Sequence, residues 1–181
     1  MQLLSSIGRD FEVEAADINE MAREGERPEA LVRRLAVTKA LTVAHRHPGA
    51  LVLGADTIVS LGMTIFGKPT TPETARQMLA SLSGRKHQVF TGVAVWDESL
   101  KRGYANVAMA QVTFRSLSAL DIDEYVASGE PMDKAGAYAI QGAAGRWVES
   151  FEGNLETVIG LPIDLVAHLL QRMDGFRDAV D

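Results

Sequence analysis

The chain contains no cysteine. That excludes disulfides, thiolate nucleophiles and zinc sites built on thiolates, and it suits the cytoplasm. No apolar run is long enough to cross a bilayer, and the opening residues lack the basic start and apolar core of a signal peptide. Membrane and secretory roles are therefore not expected. No GxGxxG and no GxxxxGK[ST] occurs, so neither a Rossmann site nor a Walker loop is supported. Positive charge is short as well: 18 Lys and Arg stand against 24 Asp and Glu, for a net charge of -6. A broad nucleic-acid face needs clustered cations and is not expected. A small anion remains compatible, because a few placed cations can hold it inside an acidic protein.

What is present is an ordinary globular composition. Hydrophobic residues make up 46% of 181 residues, enough for one domain with a real core. Residues 1–8 read as the end of a helix stopped by Gly8, and FEVEAA at 11–16 alternates like a short strand. Pro28 opens a helix that runs towards Pro48-Gly49. ALVLGAD reads as a buried strand ending in a carboxylate, and TIVSLGMTIF as a hairpin arm. TPETARQMLASLSG is a helix capped by Thr71 and stopped by Gly84. HQVFTGVAVWDE and YANVAMAQVTFRSL are two strands, expected to be antiparallel neighbours. SALDIDEYVASGE is a helix, AYAIQG and RWVESFEG are short strand-like pieces, and LPIDLVAHLLQRM is a closing amphipathic helix. Without strict βαβ alternation, the expectation is an α/β protein with a mixed sheet flanked by helices.

Several residues stand where chemistry is done. Asp56 follows LVLGA, so its carboxylate is expected at a strand end, where α/β sheets form ligand crevices. It can hold a hard divalent cation, take a proton from water, or merely cap a turn. Lys39 lies four residues after Leu35 and seven after Val32, on the apolar face of its helix. It either snorkels to the surface or points into a cleft. Lys68 sits between Gly67 and Pro69, in a stiff loop that suits a phosphate or is an exposed turn. GEPMDKAGAYAIQG, at 129–142, gathers Asp133, Lys134 and Gln141 among three glycines. Gln141 offers a donor and an acceptor to a base edge or to water. His87 is a candidate base or a structural histidine, and Glu20 is a weaker candidate that a solvated loop explains.

Taken together, GADT at 54–57, GKP at 67–69, SGRKHQVFTG at 83–92, DKAGAYAIQG within 129–142 and GLP at 160–162 resemble the Maf family in order and spacing. The resemblance spans nearly the whole chain, as a single Maf-like domain over 1–181. It implies an elongated fold similar to inosine triphosphate pyrophosphatases. It also implies hydrolysis of nucleoside triphosphates to the monophosphate and pyrophosphate with a divalent cation, Mg²⁺ or Mn²⁺, and a homodimer. Carried over by position, Asp56 would activate water, Thr57 and Gln141 would select the substrate, Lys39 and Lys68 would bind phosphates, and Glu20 would sit near the metal. Asp56-Thr57 with DKAGAYAIQG resembles the branch that acts on dTTP and UTP. The alternatives are a 7-methyl-GTP pyrophosphatase and a nucleotide-binding regulator of cell division with little turnover. Family members also carry a first strand and a Ser-x-Ser-x-Arg-Arg motif ahead of the residues matching Leu3-Leu4. The expectation is that a chain extended to include that motif would grip the triphosphate more tightly.

Overall fold

The computed structural model describes residues 8–179; the helix end expected at 1–8 falls almost wholly outside them. Helix α1 spans Pro28–Ala44 with Pro28 in its first turn, where a missing N–H costs nothing. Strand β1 spans Leu51–Leu61 and turns through Gly62-Met63 into β2, Thr64–Phe66. Gly62 has φ 61°, which a residue with a side chain rarely adopts. The register pairs Leu61 with Thr64 and Val59 with Phe66.

Helix α2, Pro72–Leu82, is capped by Thr71, whose side chain accepts a hydrogen bond from the Thr74 N–H at 3.1 Å. Strands β3, Lys86–Asp97, and β4, Arg102–Phe114, follow. Helix α3, Ala119–Ala127, starts with a reciprocal capping box between Ser118 and Asp121. Short 3-10 turns then lead to β5, Val148–Glu152, to α4, Leu155–Ile159, and to α5, Ile163–Arg177.

The five strands stand in the order β2-β1-β3-β4-β5. The expected α/β class is met, with the sheet antiparallel throughout. The feature that differs from expectation is the mixed pairing. β1 lies between β2 and β3, so the two strands that α2 connects are not neighbours, and β4 pairs antiparallel with β5 across α3.

Two compact units divide the chain, and β1, β3 and β4 run from one into the other. The first comprises the chain up to Asp56, Thr91–Ala108 and the stretch from Gly160. On one face of its strands Ala36, Ala40 and Ala44 of α1 pack on Val52 and Ala94. On the other, Val93 and Val95 meet Val166, Leu169, Leu170 and Met173 of α5. The second unit comprises Thr57–Phe90 and Met109–Ile159. Its core joins Leu79 and Leu82 of α2 to Tyr125 and Val126 of α3, with Phe114 and Trp147.

Two expected strands do not form. Residues 11–16 are irregular, with Phe11 and Val13 exposed. Alternation becomes a strand only where a neighbour supplies the hydrogen-bond ladder, and these residues are absent from the sheet. AYAIQG likewise forms no strand, although the backbone of Tyr138 by itself is extended. Gly136 and Ala137 have φ of 68° and 60°, and such left-handed residues fold the segment into tight turns. Among the described residues, no helix is long and apolar enough to cross a membrane.

Candidate active site

The local chemistry begins with two glycines. A Cβ on Gly54 would lie 2.4 Å from the Ala36 carbonyl oxygen and 2.7 Å from the Ala40 nitrogen. One on Gly92 would lie 2.3 Å from the Val32 carbonyl oxygen. With no side chain there, α1 lies directly on the backbones of β1 and β3. Strand alternation puts Asp56 on the same face as Gly54. Lys39, one residue before Ala40, therefore arrives beside it.

Asp56 is not at a strand end, as the sequence suggested; it is the sixth residue of an eleven-residue strand. The strand continues past a carboxylate because an ammonium meets it. Lys39 Nζ donates to Asp56 Oδ1 at 2.6 Å and lies 2.6 Å from Glu20 Oε1. The side chains are graded in exposure: Asp56 8%, Lys39 23%, Glu20 47%. Asp56 is thus the desolvated member and Glu20 the one at the rim. Burial opposes the charge on Lys39, but the hydrogen bonds to Asp56 and Glu20 outweigh it and raise its pKa. Of the two outcomes open for Lys39, the cleft is the one observed.

That cleft has a volume of about 620 Å³, with Glu20, Lys39, Leu53, Gly54 and Ala55 in its wall. Residues 14–18 also line it and are secured just past the end of α1. Arg46 pairs with Glu14 Oε1 at 2.6 Å and donates to the Ala15 carbonyl at 3.0 Å. On the other side of Glu20, Arg34 grips both oxygens of Glu26 at 2.7 Å and donates to the Met21 carbonyl at 3.0 Å. The irregular segment bearing Glu20 is therefore clamped on one side by Arg34 of α1 and on the other by Arg46, just past the end of α1. The sequence reading passed over Arg34 and Glu26. Their signal was slight: one Arg on a helix and one Glu in the polar stretch before it.

The other expected residues belong to the second unit. Thr57 follows Asp56 on the opposite face of β1 and is half-buried. Lys68 is exposed in the loop after β2, and the Gly136 N–H ties that loop down by donating to the Gly67 carbonyl at 3.0 Å. Lys134 hydrogen-bonds Asp133 at 2.6 Å and, with a smaller contribution from Lys68, lowers the pKa of that carboxyl. Lys68 and Lys134 thus share one anionic neighbour. Gln141 sits at an exposed turn. His87 is a core residue, 1% exposed, edge-on to Phe114 and Tyr138.

Among the described residues, no group of three or more His, Asp or Glu could by itself hold a metal ion. Two carboxylates that share the Lys39 ammonium, Glu20 and Asp56, are nevertheless hard oxygen donors of the kind Mg²⁺ uses when phosphates and water complete its shell. In kind, these donors fit a divalent cation whose remaining ligands come from outside the chain.

Residues 1–173 match the family described as Maf-like protein. The chain belongs to the Maf family. Its matches include three proteins named dTTP/UTP pyrophosphatase. That of Myxococcus xanthus is 49% identical over 174 residues, covering 94% of this chain and 86% of the relative. That of Desulforamulus reducens is 45% identical, covering 96% and 91%. That of Geotalea uraniireducens is 44% identical, covering 98% and 91%. The pairing of Lys39, Asp56 and Glu20 is therefore a feature of a Maf chain.

Proposed function

We propose that this protein is a nucleoside triphosphate pyrophosphatase that cleaves dTTP and UTP to the monophosphate and pyrophosphate. The observation that carries the reading is the Lys39 ammonium held between Asp56 and Glu20 on the wall of a cleft, in a chain similar throughout its length to proteins of that name.

A triphosphate brings about four negative charges, so its binding needs cations. Lys39 is charged and oriented before substrate arrives, because two carboxylates fix its position. Asp56 accepts a proton from water as the water oxygen bonds to the α-phosphorus. The bond from that phosphorus to the α–β bridging oxygen breaks, and pyrophosphate leaves with the electron pair. Lys39 and Lys68 hold the departing phosphates. Glu20 and Asp56 would hold the divalent cation, Mg²⁺ or Mn²⁺, which when bound supplies charge neutralisation at the phosphates. Thr57 and Gln141 select the base. A cysteine-free chain that works on free nucleotides fits a cytoplasmic setting, and self-association into a homodimer is a further expectation that sedimentation tests.

The test is a panel of dTTP, UTP, CTP, ATP, GTP and 7-methyl-GTP with Mg²⁺ or Mn²⁺, scored for pyrophosphate. The expected result is preference for dTTP and UTP. Equal or faster turnover of 7-methyl-GTP contradicts the base assignment. No metal-dependent pyrophosphate from any of them contradicts the enzyme and leaves a nucleotide-binding regulator.

A further inference from the structure

The loop that carries Gln141 is held on both sides by one hydroxyl–carboxylate pair. Tyr125 of α3 is 2% exposed. Its hydroxyl donates to Glu130 Oε1 at 3.0 Å and accepts the Ala139 N–H at 3.2 Å. The same Glu130 oxygen accepts the Ala143 N–H at 3.1 Å. The backbone two residues before Gln141 and the backbone two residues after it are thus bound to adjacent atoms.

Gly142 makes that approach possible. A Cβ there would lie 1.7 Å from Glu130 Oε1, so a side chain would evict the carboxylate. The Gly142 N–H also donates to the Ala139 carbonyl at 3.0 Å, closing the turn on itself. The far end of the device is rigid, because the Tyr125 ring stands edge-on to Trp147 with centroids 4.8 Å apart. Burial, with Glu130 close by, pushes the Tyr125 hydroxyl well above its ordinary pKa, so it stays a donor.

None of this is needed to close the core. Phe at 125 would fill the same space, and Glu130 is only half-buried. What the pair adds is a fixed backbone around one exposed amide. Thymine and uracil present an N3–H donor beside a carbonyl acceptor, whereas cytosine presents an acceptor beside an amino donor. A side-chain amide carries both a donor and an acceptor, so what it selects depends on where it is held. A loop free to shift lets the amide meet either edge.

We propose that Tyr125 and Glu130 are positioning residues for base selection, acting through Gln141 to favour a pyrimidine with a 4-carbonyl over one with a 4-amino group. The proposal rests on the reading of Gln141 as a substrate-selecting residue. The full chain is assayed as wild type, Tyr125→Phe, Glu130→Ala, Glu130→Gln, Gln141→Ala and the Tyr125→Phe/Gln141→Ala double variant. The readouts are kcat/KM for dTTP and for CTP, with melting temperatures. Tyr125→Phe and Glu130→Ala are expected to reduce the dTTP-to-CTP preference roughly three- to tenfold, the worth of a hydrogen bond. Glu130→Gln, which keeps an acceptor oxygen, restores most of it. In the Gln141→Ala background, Tyr125→Phe changes the preference no further. Equal losses on both nucleotides, or effects of Tyr125→Phe and Gln141→Ala that simply multiply, overturn the positioning role alone. If wild type shows no preference, or Gln141→Ala leaves it intact, the reading of Gln141 is wrong and the positioning role falls with it.

Discussion

Lys39 Nζ donates to Asp56 Oδ1 across 2.6 Å, and the contact depends on Gly54, two residues before Asp56, having no side chain. Gly54→Ala would drive a methyl group into the Ala36 carbonyl, only 2.4 Å away. Helix α1 would have to move, and Lys39 with it. The expected cost is about 1–3 kcal/mol of stability, typical of overpacking, together with a fall in turnover of dTTP. Gly49→Ala is the control, since nothing lies within 4 Å of its Cβ position. Urea unfolding and steady-state kinetics of both variants check this, and equal behaviour of the two would contradict the account.

The two residues of this pair were legible in the sequence separately, and their pairing was not. Helical spacing put Lys39 on an apolar face, and LVLGA put Asp56 in a buried strand. The link between them is a backbone contact through Gly54, which carries no hydrophobic signal. The same missing information placed the strand end at Asp56: a carboxylate reads as an end unless its counter-ion, 17 residues earlier, is known. Thr71 as a cap and the hairpin at Gly62 were readable because their chemistry is local. The turn at Ala137 was not, because the apolar run AYAI reads like a strand, whereas Gly136 and Ala137 take left-handed φ values. Tyr125 and Glu130 went unnoticed as site residues because an aromatic at helical spacing looks like core, and Tyr125 is also that.

The clamp between Arg34 and Glu26 predicts a loss that a conservative replacement does not prevent. Arg34 bonds both oxygens of Glu26, and a lysine cannot reproduce that fork. Arg34→Lys should loosen the segment one residue beyond Glu20 and lower turnover roughly ten- to a hundredfold, the usual effect of ångström-scale misplacement. The hydrogen bond from Arg34 lowers the Glu26 pKa from 4.5 to about 2. A depressed carboxyl pKa stabilises the fold above about 4.5, and that stabilisation is lost as the pH falls through about 2. Hydrogen exchange across residues 21–26 checks the prediction; unchanged protection in Arg34→Lys would contradict it.

His87 predicts sensitivity to mild acid. Burial lowers its pKa from 6.5 to about 4, against a hydrogen bond with the Arg85 carbonyl that favours the proton. Nδ1 donates to that carbonyl at 3.3 Å, and Nε2 accepts from the Tyr138 hydroxyl at 2.9 Å. Because the unfolded chain takes up this proton first, stability is complete above about pH 6.5 and declines towards about pH 4. The loss is on the order of 3 kcal/mol. His87→Phe should flatten that slope while costing about 1–3 kcal/mol at neutral pH, since the Tyr138 hydroxyl loses its acceptor. Urea titrations at pH 7 and pH 5 read both effects, and an unchanged slope would show that another group titrates.

The central claim is that Asp56 takes the proton from the attacking water, and Asp56→Asn tests it most directly. The amide keeps the size of the side chain and an oxygen for Lys39, but it cannot serve as a base. With dTTP and Mg²⁺ in single-turnover conditions, the rate of pyrophosphate formation should fall about 10²–10⁴-fold, with the melting temperature close to that of the wild type. Retention of most of the rate by a folded Asp56→Asn protein would contradict the account and move the base elsewhere, with Glu20 as the next residue to replace.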